Sequence, residues 1–222
     1  MTRRIALVFP ATNTTTPAEC DALAPPGVAN IHARIANPDQ AVRSDADTLA
    51  VRRAMLDGLM AAVEEAAAQR PDALLLGVMV ENFAGPEAPA LLARVRAAAG
   101  CPVTDYTTAI LAELPPRSRI GLLTPFMPVG DAAARRLFEE AGHQVVRLQG
   151  LRAPSPAAIA AIGEDRLRAA LDALDAPDVT HLVQVGTNLR FAALAAAEQA
   201  RRGKPVLASN PVLYRHALNA LT

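Results

Sequence analysis

The chain contains no tryptophan, a single lysine (Lys204), two cysteines and only 3% aromatic residues among its 222 positions. Each shortage excludes something. Cys20 and Cys101 provide neither a disulfide framework nor a metal-ligand spacing. His32, His143 and His181 have no partners at ligand spacing, so no metal site is expected. The balance of 22 acidic against 22 basic residues argues against a phosphate-dominated partner, which excludes nucleic acid. The longest apolar run, Ala73 to Val80, is too short to cross a bilayer, and the apolar stretch behind Met1 is too short for a secretion signal. A cytoplasmic protein with no membrane partner is expected. Disordered, collagen-like and coiled-coil readings fail for want of low-complexity blocks, glycine periods or sustained heptads.

What the sequence does have is apolar content, 51% of residues with 49 alanines, enough for one α/β domain or two small ones. Short apolar runs alternate with alanine-rich helical segments, the pattern of parallel βαβ units. Strands are predicted at Ile5 to Phe9, Asn30 to Arg34, Ala73 to Val80, Val103 to Thr104, Ile120 to Thr124, Gln144 to Leu148, His181 to Val185 and Val206 to Ala208. Helices are predicted at Ala46 to Gln69, Pro89 to Ala99, Thr107 to Leu114, Gly130 to Ala141, Pro156 to Leu174, Phe191 to Arg202 and Pro211 to Leu221.

The two halves of the chain echo each other. Ile5-Ala-Leu-Val-Phe-Pro is answered by Ile120-Gly-Leu-Leu-Thr-Pro, Pro71-Asp-Ala-Leu by Pro177-Asp-Val-Thr, and Gly100-Cys-Pro-Val by Gly203-Lys-Pro-Val. Three matched pairs in one order indicate internal duplication. The expected fold is therefore α/β, two pseudo-symmetric doubly wound parallel-sheet halves with a cleft between them. The halves would span 1–116 and 117–222, with the terminal helix free to pack back on the first half. Ligands of such sheets bind beyond the carboxyl ends of the strands.

The strand ends carry small hydroxyls and amides: Thr12, Asn13, Thr14 and Thr15 after the first strand, Thr107 and Thr108, Thr187 and Asn188, then Ser209 and Asn210. Together with helix N-termini these are donors suited to a small carboxylate, although each also serves as a cap or turn former. No glycine-rich phosphate fingerprint follows any strand, which argues against a nucleotide site.

Pro10-Ala-Thr-Asn-Thr-Thr resembles the P-S-S-N-T-T loop of maleate cis-trans isomerases, and Gly186-Thr-Asn-Leu-Arg resembles their C-T-N-L-R stretch. Gly203-Lys-Pro-Val-Leu-Ala-Ser-Asn with Tyr214-Arg-His-Ala-Leu resembles the tail of the same group, and Thr124-Pro-Phe stands where T-P-Y is usual. The resemblance runs in order along nearly the whole chain. It is to the aspartate/glutamate racemase superfamily, in the branch of maleate isomerases and arylmalonate decarboxylases. It implies a cofactor-independent enzyme whose thiolates, at two mirror-related strand ends, act beside a carboxylate. Those two positions are Val78 and Gly186 here, and the tyrosine is Phe126.

Without thiols, covalent isomerisation and two-base racemisation lose their reagents. Decarboxylation or elimination asks less: an apolar wall, donors for an enediolate, and one proton. Val78, Met79, Val80 and Phe126 are expected to form the wall, while Asn13, Thr14, Gly186, Thr187 and Asn188 hold the carboxylate. Glu81 is the leading candidate for the proton carrier and Tyr106, beside Asp105, the second; capping and packing are the competing explanations. Tyr214 and His216 are expected to pack. The reading is a decarboxylase or lyase acting α to a carboxylate, with a maleate-type isomerase or an inert carboxylate-binding protein as alternatives. Its partner is a small carboxylate substrate, no cofactor is expected, and a homo-oligomer is compatible with it.

Overall fold

The computed structural model describes residues 2–79 and 85–221. Two four-stranded parallel sheets are built in the same way. The first contains β1 (Arg3–Pro10), β2 (Val28–Ile35), β3 (Ala73–Leu76) and β4 (Val103–Thr104), in the order β2-β1-β3-β4. The second contains β5 (Arg119–Thr124), β6 (Gln144–Gly150), β7 (His181–Gln184) and β8 (Val206–Leu207), in the order β6-β5-β7-β8. The helices are α1 (Thr15–Leu23), α2 (Asp45–Ala68), α3 (Ala88–Ala99) and α4 (Tyr106–Ala112), then α5 (Pro128–Glu140), α6 (Glu164–Leu174), α7 (Ala192–Arg202) and α8 (Ser209–Asn219).

The inner strands β1, β3, β5 and β7 are largely buried because both of their faces are covered, whereas the edge strands β2 and β6 are partly exposed and carry polar residues. Side chains alternate across the pleat. Ile5, Leu7 and Phe9 of β1 therefore point inward with Leu75, Ile120, Leu122, Val183 and Val185, while Ala6, Val8, Leu74 and Leu76 point outward. The inward residues of both sheets share one core with Cys20 of α1, Tyr106 and Ile110 of α4, Phe138 of α5 and Leu213 and Tyr214 of α8. Outside the sheets, α2 and α3 cover the first, and α6 and α7 the second. The last helix, α8, packs back against α1, α4, β3 and β4 of the first half.

Three expectations shift. Of the run Ala73 to Val80, only Ala73–Leu76 is strand, with Gly77 N still donating to Val8 O just beyond it, and Val80 lies outside the described residues. The single helix expected over Pro156 to Leu174 is a 3-10 turn, Ala157–Ala161, followed by a separate α6 that starts after Gly163 in extended conformation. The helix α1, which is not among those expected, follows the Asn13 loop, and its buried face is Thr15, Thr16, Pro17 and Cys20. With so few apolar residues on that face it gives no hydrophobic stripe.

Candidate functional site

The carboxyl ends of β1 and β3 face those of β5 and β7 across a cavity of about 100 Å³. That is small beside the roughly 300–1,000 Å³ of drug-sized sites, and it suits a compact ligand. Its floor is Pro10, Thr12 and Asn13 after β1, Gly77, Val78 and Met79 after β3, Pro125, Phe126 and Met127 after β5, and Gly186, Thr187 and Asn188 after β7. Its outer walls are Val42, Thr48, Val51 and Met55 on one side and Ala153, Ser155, Pro156 and Ile159 on the other. Among the described residues, none of these lining side chains is charged.

The ladder fixes which positions mirror each other. Gly77 N donates to Val8 O at 2.7 Å, and Val185 N donates to Leu123 O at 2.8 Å, so Val78 and Gly186 are equivalent. They are not interchangeable. Val78 is an ordinary buried residue, whereas Gly186 has φ +104°, and a Cβ there would stand 2.8 Å from Pro125 Cγ. A side chain at 186, a thiol included, would thus strain the backbone and crowd Pro125.

The strand-end amides and hydroxyls bind mainly one another. Asn13 Nδ2 donates to Thr16 Oγ1 (2.8 Å) and Thr187 Oγ1 (3.0 Å), and Asn13 Oδ1 accepts from the N–H of Thr15 (3.0 Å) and Thr16 (2.9 Å). All four of its hydrogen-bonding positions are filled. Asn188 Oδ1 accepts from Thr14 N at 3.1 Å, and Asn188 Nδ2 donates to Pro156 O at 2.9 Å. Thr187 Oγ1 donates to Gly77 O at 2.7 Å. These bonds sew the two halves together at the cleft floor.

The backbone is where donors remain. Leu189 N donates to Gly186 O at 3.1 Å, closing a turn with Thr187 and Asn188 in its middle. Among the described residues, nothing accepts from the N–H groups of Gly186, Thr187, Asn188 and Val78. Thr187 and Asn188 are 7% and 6% exposed. All four residues line the cavity, so their unpaired N–H groups are donors available to a ligand acceptor there.

Of the residues expected to bind substrate, Asn13, Val78, Met79, Phe126, Gly186, Thr187 and Asn188 line the cavity, and Thr14 is exposed and does not. Val80 and Glu81 fall outside the described residues. Tyr106 is fully buried in the shared core with its hydroxyl toward Gln184 O at 3.4 Å, away from the cavity lining. Asp105 caps α4, accepting from Thr108 N at 2.9 Å, and pairs with Arg96. Tyr214 donates to Asn30 Oδ1 and His216 pairs with Glu113, both as packing contacts. Neither cysteine reaches the cavity. Cys20 is buried in α1, where desolvation first, then Glu19 and Asp21, pushes its thiol pKa up; Cys101 precedes β4, at the opposite strand end.

Sequence reasoning missed the α2 wall, because Thr48, Val51 and Met55 repeat at helical spacing and read as ordinary core. It also missed Asp131 of α5. Its carboxylate takes hydrogen bonds from Thr124 Oγ1 and from Arg152 Nη1 (2.6 Å), and Arg152 also donates to Phe126 O. Burial raises the Asp131 pKa, with the Thr124 and Arg152 bonds opposing.

No protein-family model and no curated protein matches the chain. Solved structures do. The maleate isomerase Iso from Pseudomonas putida S16 superposes with a TM-score of 0.87 at 17% identity, covering 99% of this chain and 92% of that one. A cysteine-to-serine variant of Nocardia farcinica maleate cis-trans isomerase, carrying a covalently bound succinylcysteine intermediate, gives 0.82 at 23% identity, with coverage of 99% and 92%. Arylmalonate decarboxylase gives 0.73 at 18% identity, covering 98% and 92%. At such identities the likeness establishes a common fold.

Proposed function

We propose that the protein is a cofactor-independent enzyme that acts α to a carboxylate of a small carboxylic or dicarboxylic acid, with decarboxylation or elimination favoured over isomerisation. The observation that carries this reading is the set of unpartnered N–H groups on the buried residues Gly186, Thr187 and Asn188, set against a cavity whose remaining lining, among the described residues, is mostly apolar. A carboxylate held there gains enediolate character most easily, because the donors are fixed before charge develops.

For a substituted malonate the step balances as follows. The bond from the α-carbon to the leaving carboxylate breaks, carbon dioxide departs, and the electron pair becomes an enediolate on the retained carboxylate. A proton then returns to the α-carbon. The departing carboxylate would lie against Val78, Met79 and Phe126, which offer it no charge partner, so the wall favours its loss. Glu81, which follows β3 in sequence, is the proposed proton carrier.

Isomerisation by a thiolate, the chemistry implied by the succinylcysteine of the Nocardia variant, finds no cysteine at either mirror position. One observation favours a second reading, an inert carboxylate binder: no described cavity residue is titratable. Proton NMR in deuterium oxide over malonates, maleate, malate-type acids and amino acids separates the two. Carbon dioxide loss, elimination or α-proton exchange supports the enzyme. Binding without turnover of any of them leaves the binder, and a Glu81→Gln variant with full turnover removes Glu81 from its role.

A further inference from the structure

The unpartnered N–H groups owe their direction to the carbonyls on the other side of each peptide. In a trans peptide C=O and N–H point opposite ways, and every described peptide is trans. Gly186 O accepts from Gln184 Nε2 at 2.7 Å, which turns Thr187 N–H away from Gln184. Thr187 O accepts from Asn210 Nδ2 at 2.9 Å and lies 3.2 Å from Thr16 Oγ1, which turns Asn188 N–H the other way.

Asn210 can do this only if its NH2, not its oxygen, faces Thr187 O. Glu19 of α1 settles the matter. Its Oε2 accepts from Asn210 Nδ2 at 2.8 Å, and its Oε1 accepts from Phe191 N (2.9 Å) and Ala192 N (3.0 Å) at the start of α7. A carboxylate oxygen presented to an asparagine amide selects the nitrogen. Asn210 Oδ1 is left to accept from Thr16 Oγ1 at 3.3 Å. A side chain of the first half thus orients donors carried by the second.

We infer that Glu19 is a positioning residue for the carboxylate site, acting through Asn210 to aim the Asn188 N–H into the cleft. The inference rests on the carboxylate reading of that cleft. Neither Glu19 nor Asn210 lines the cavity. Losing one well-aimed donor to a charged ligand weakens binding about tenfold or more.

The test is titration of the full chain with propionate, read by the amide resonances of Thr187 and Asn188 and by calorimetry, alongside thermal unfolding. Glu19→Gln and Asn210→Asp are each expected to weaken propionate about tenfold or more. The double variant Glu19→Gln, Asn210→Asp restores a hydrogen bond between positions 19 and 210 but sets a carboxylate oxygen against Thr187 O. It is expected to regain stability over the single variants while propionate binding stays lost. Recovery of binding along with stability would overturn the inference, as would single variants that bind propionate like the native chain. Asn210→Ala supplies an independent arm, since it leaves Glu19 on α7 and removes only the grip on Thr187; unchanged binding there also overturns it. If the native chain shows no propionate binding at all, the carboxylate reading itself fails and takes the inference with it.

Discussion

Val95 and Glu198 stand in the same place in the two halves. Each lies five residues before a glycine with φ +62°, Gly100 or Gly203, that ends an outer helix and leads through Pro102 or Pro205 into a short edge strand. Both are 0% exposed. In α3 the position is filled by hydrocarbon packed on the sheet, and its neighbour toward the glycine is Ala99. In α7 it is a carboxylate bonded by Arg168, Arg201 (2.7 Å) and Arg202 (2.9 Å), with Arg202 and Lys204 tied on to Asp172 and Asp175. One site in one fold accepts either solution. The ionic one fails harder when half of it is removed, because a charged group held inside loses a hydrogen-bonded partner.

The sharpest break of the comparison is Glu198→Ala. It removes the buried acceptor shared by Arg168, Arg201 and Arg202, while Asp172 and Asp175 still pair with Arg202, and is expected to cost about 2–4 kcal/mol, or roughly 8 °C in Tm. The pair Glu198→Val, Arg202→Ala copies the first half and is expected to recover most of that loss; calorimetric melting checks both. A second contrast lies at the strand ends. Gly186→Cys forces a side chain into φ +104° against Pro125 and is expected to lose about 1–3 kcal/mol, whereas Val78→Cys at the mirror position stays under about 1.5 kcal/mol. Equal urea midpoints for the two would show that the halves do not differ there.

A third contrast concerns caps. Asp105 caps α4 with its side chain, while at the matching start of α8 Ala208 offers none, and Ser209 N bonds Gln184 Oε1 (3.0 Å) instead. Asp105→Ala is expected to cost about 1 kcal/mol by chemical denaturation. The smallest effect is one of pH. Desolvation lowers the pKa of both His143 and His181, which lie in the second half, with His143 also lowering His181. A base with a depressed folded pKa takes its proton first in the unfolded chain, so stability is full above about pH 6.5 and is lost as pH falls below it. The double variant His143→Asn, His181→Asn is expected to flatten the urea midpoint between about pH 7 and 5; an unaltered slope would remove these histidines as its source.

The architecture was legible because the inner, covered strands must be apolar runs, and because the two halves present them in the same order. Boundaries shifted at the end of β3, which closes at Leu76, and at Gly163, whose extended backbone precedes α6. The cleft floor was legible at Val78, Phe126 and Gly186–Asn188, since strand-end position is a property of sequence order. What stayed hidden was long-range partnership. Nothing near Glu19 in sequence announces Asn210, Phe191 or Ala192, and nothing in Thr48, Val51 and Met55 separates a cavity wall from a core stripe. Asn13 shows the reverse error, a donor by composition whose capacity is already spent inside the protein.

The core shared by the two sheets has a consequence for assembly. Tyr106 and Ile110 of the first half and Leu213 and Tyr214 of the second are buried against each other's side of the molecule, so the halves are subunits joined by a peptide link. Cut near Pro116, either piece would show water an apolar face that only a similar face can cover. Residues 1–116 alone are therefore expected to sediment as a back-to-back isologous dimer or to aggregate, and a soluble, folded monomer would disprove it. Fusing two such units into one chain frees each copy from having to match itself across the axis. Within one chain the two strand ends can therefore differ, as the valine at 78 and the glycine turn at 186 do.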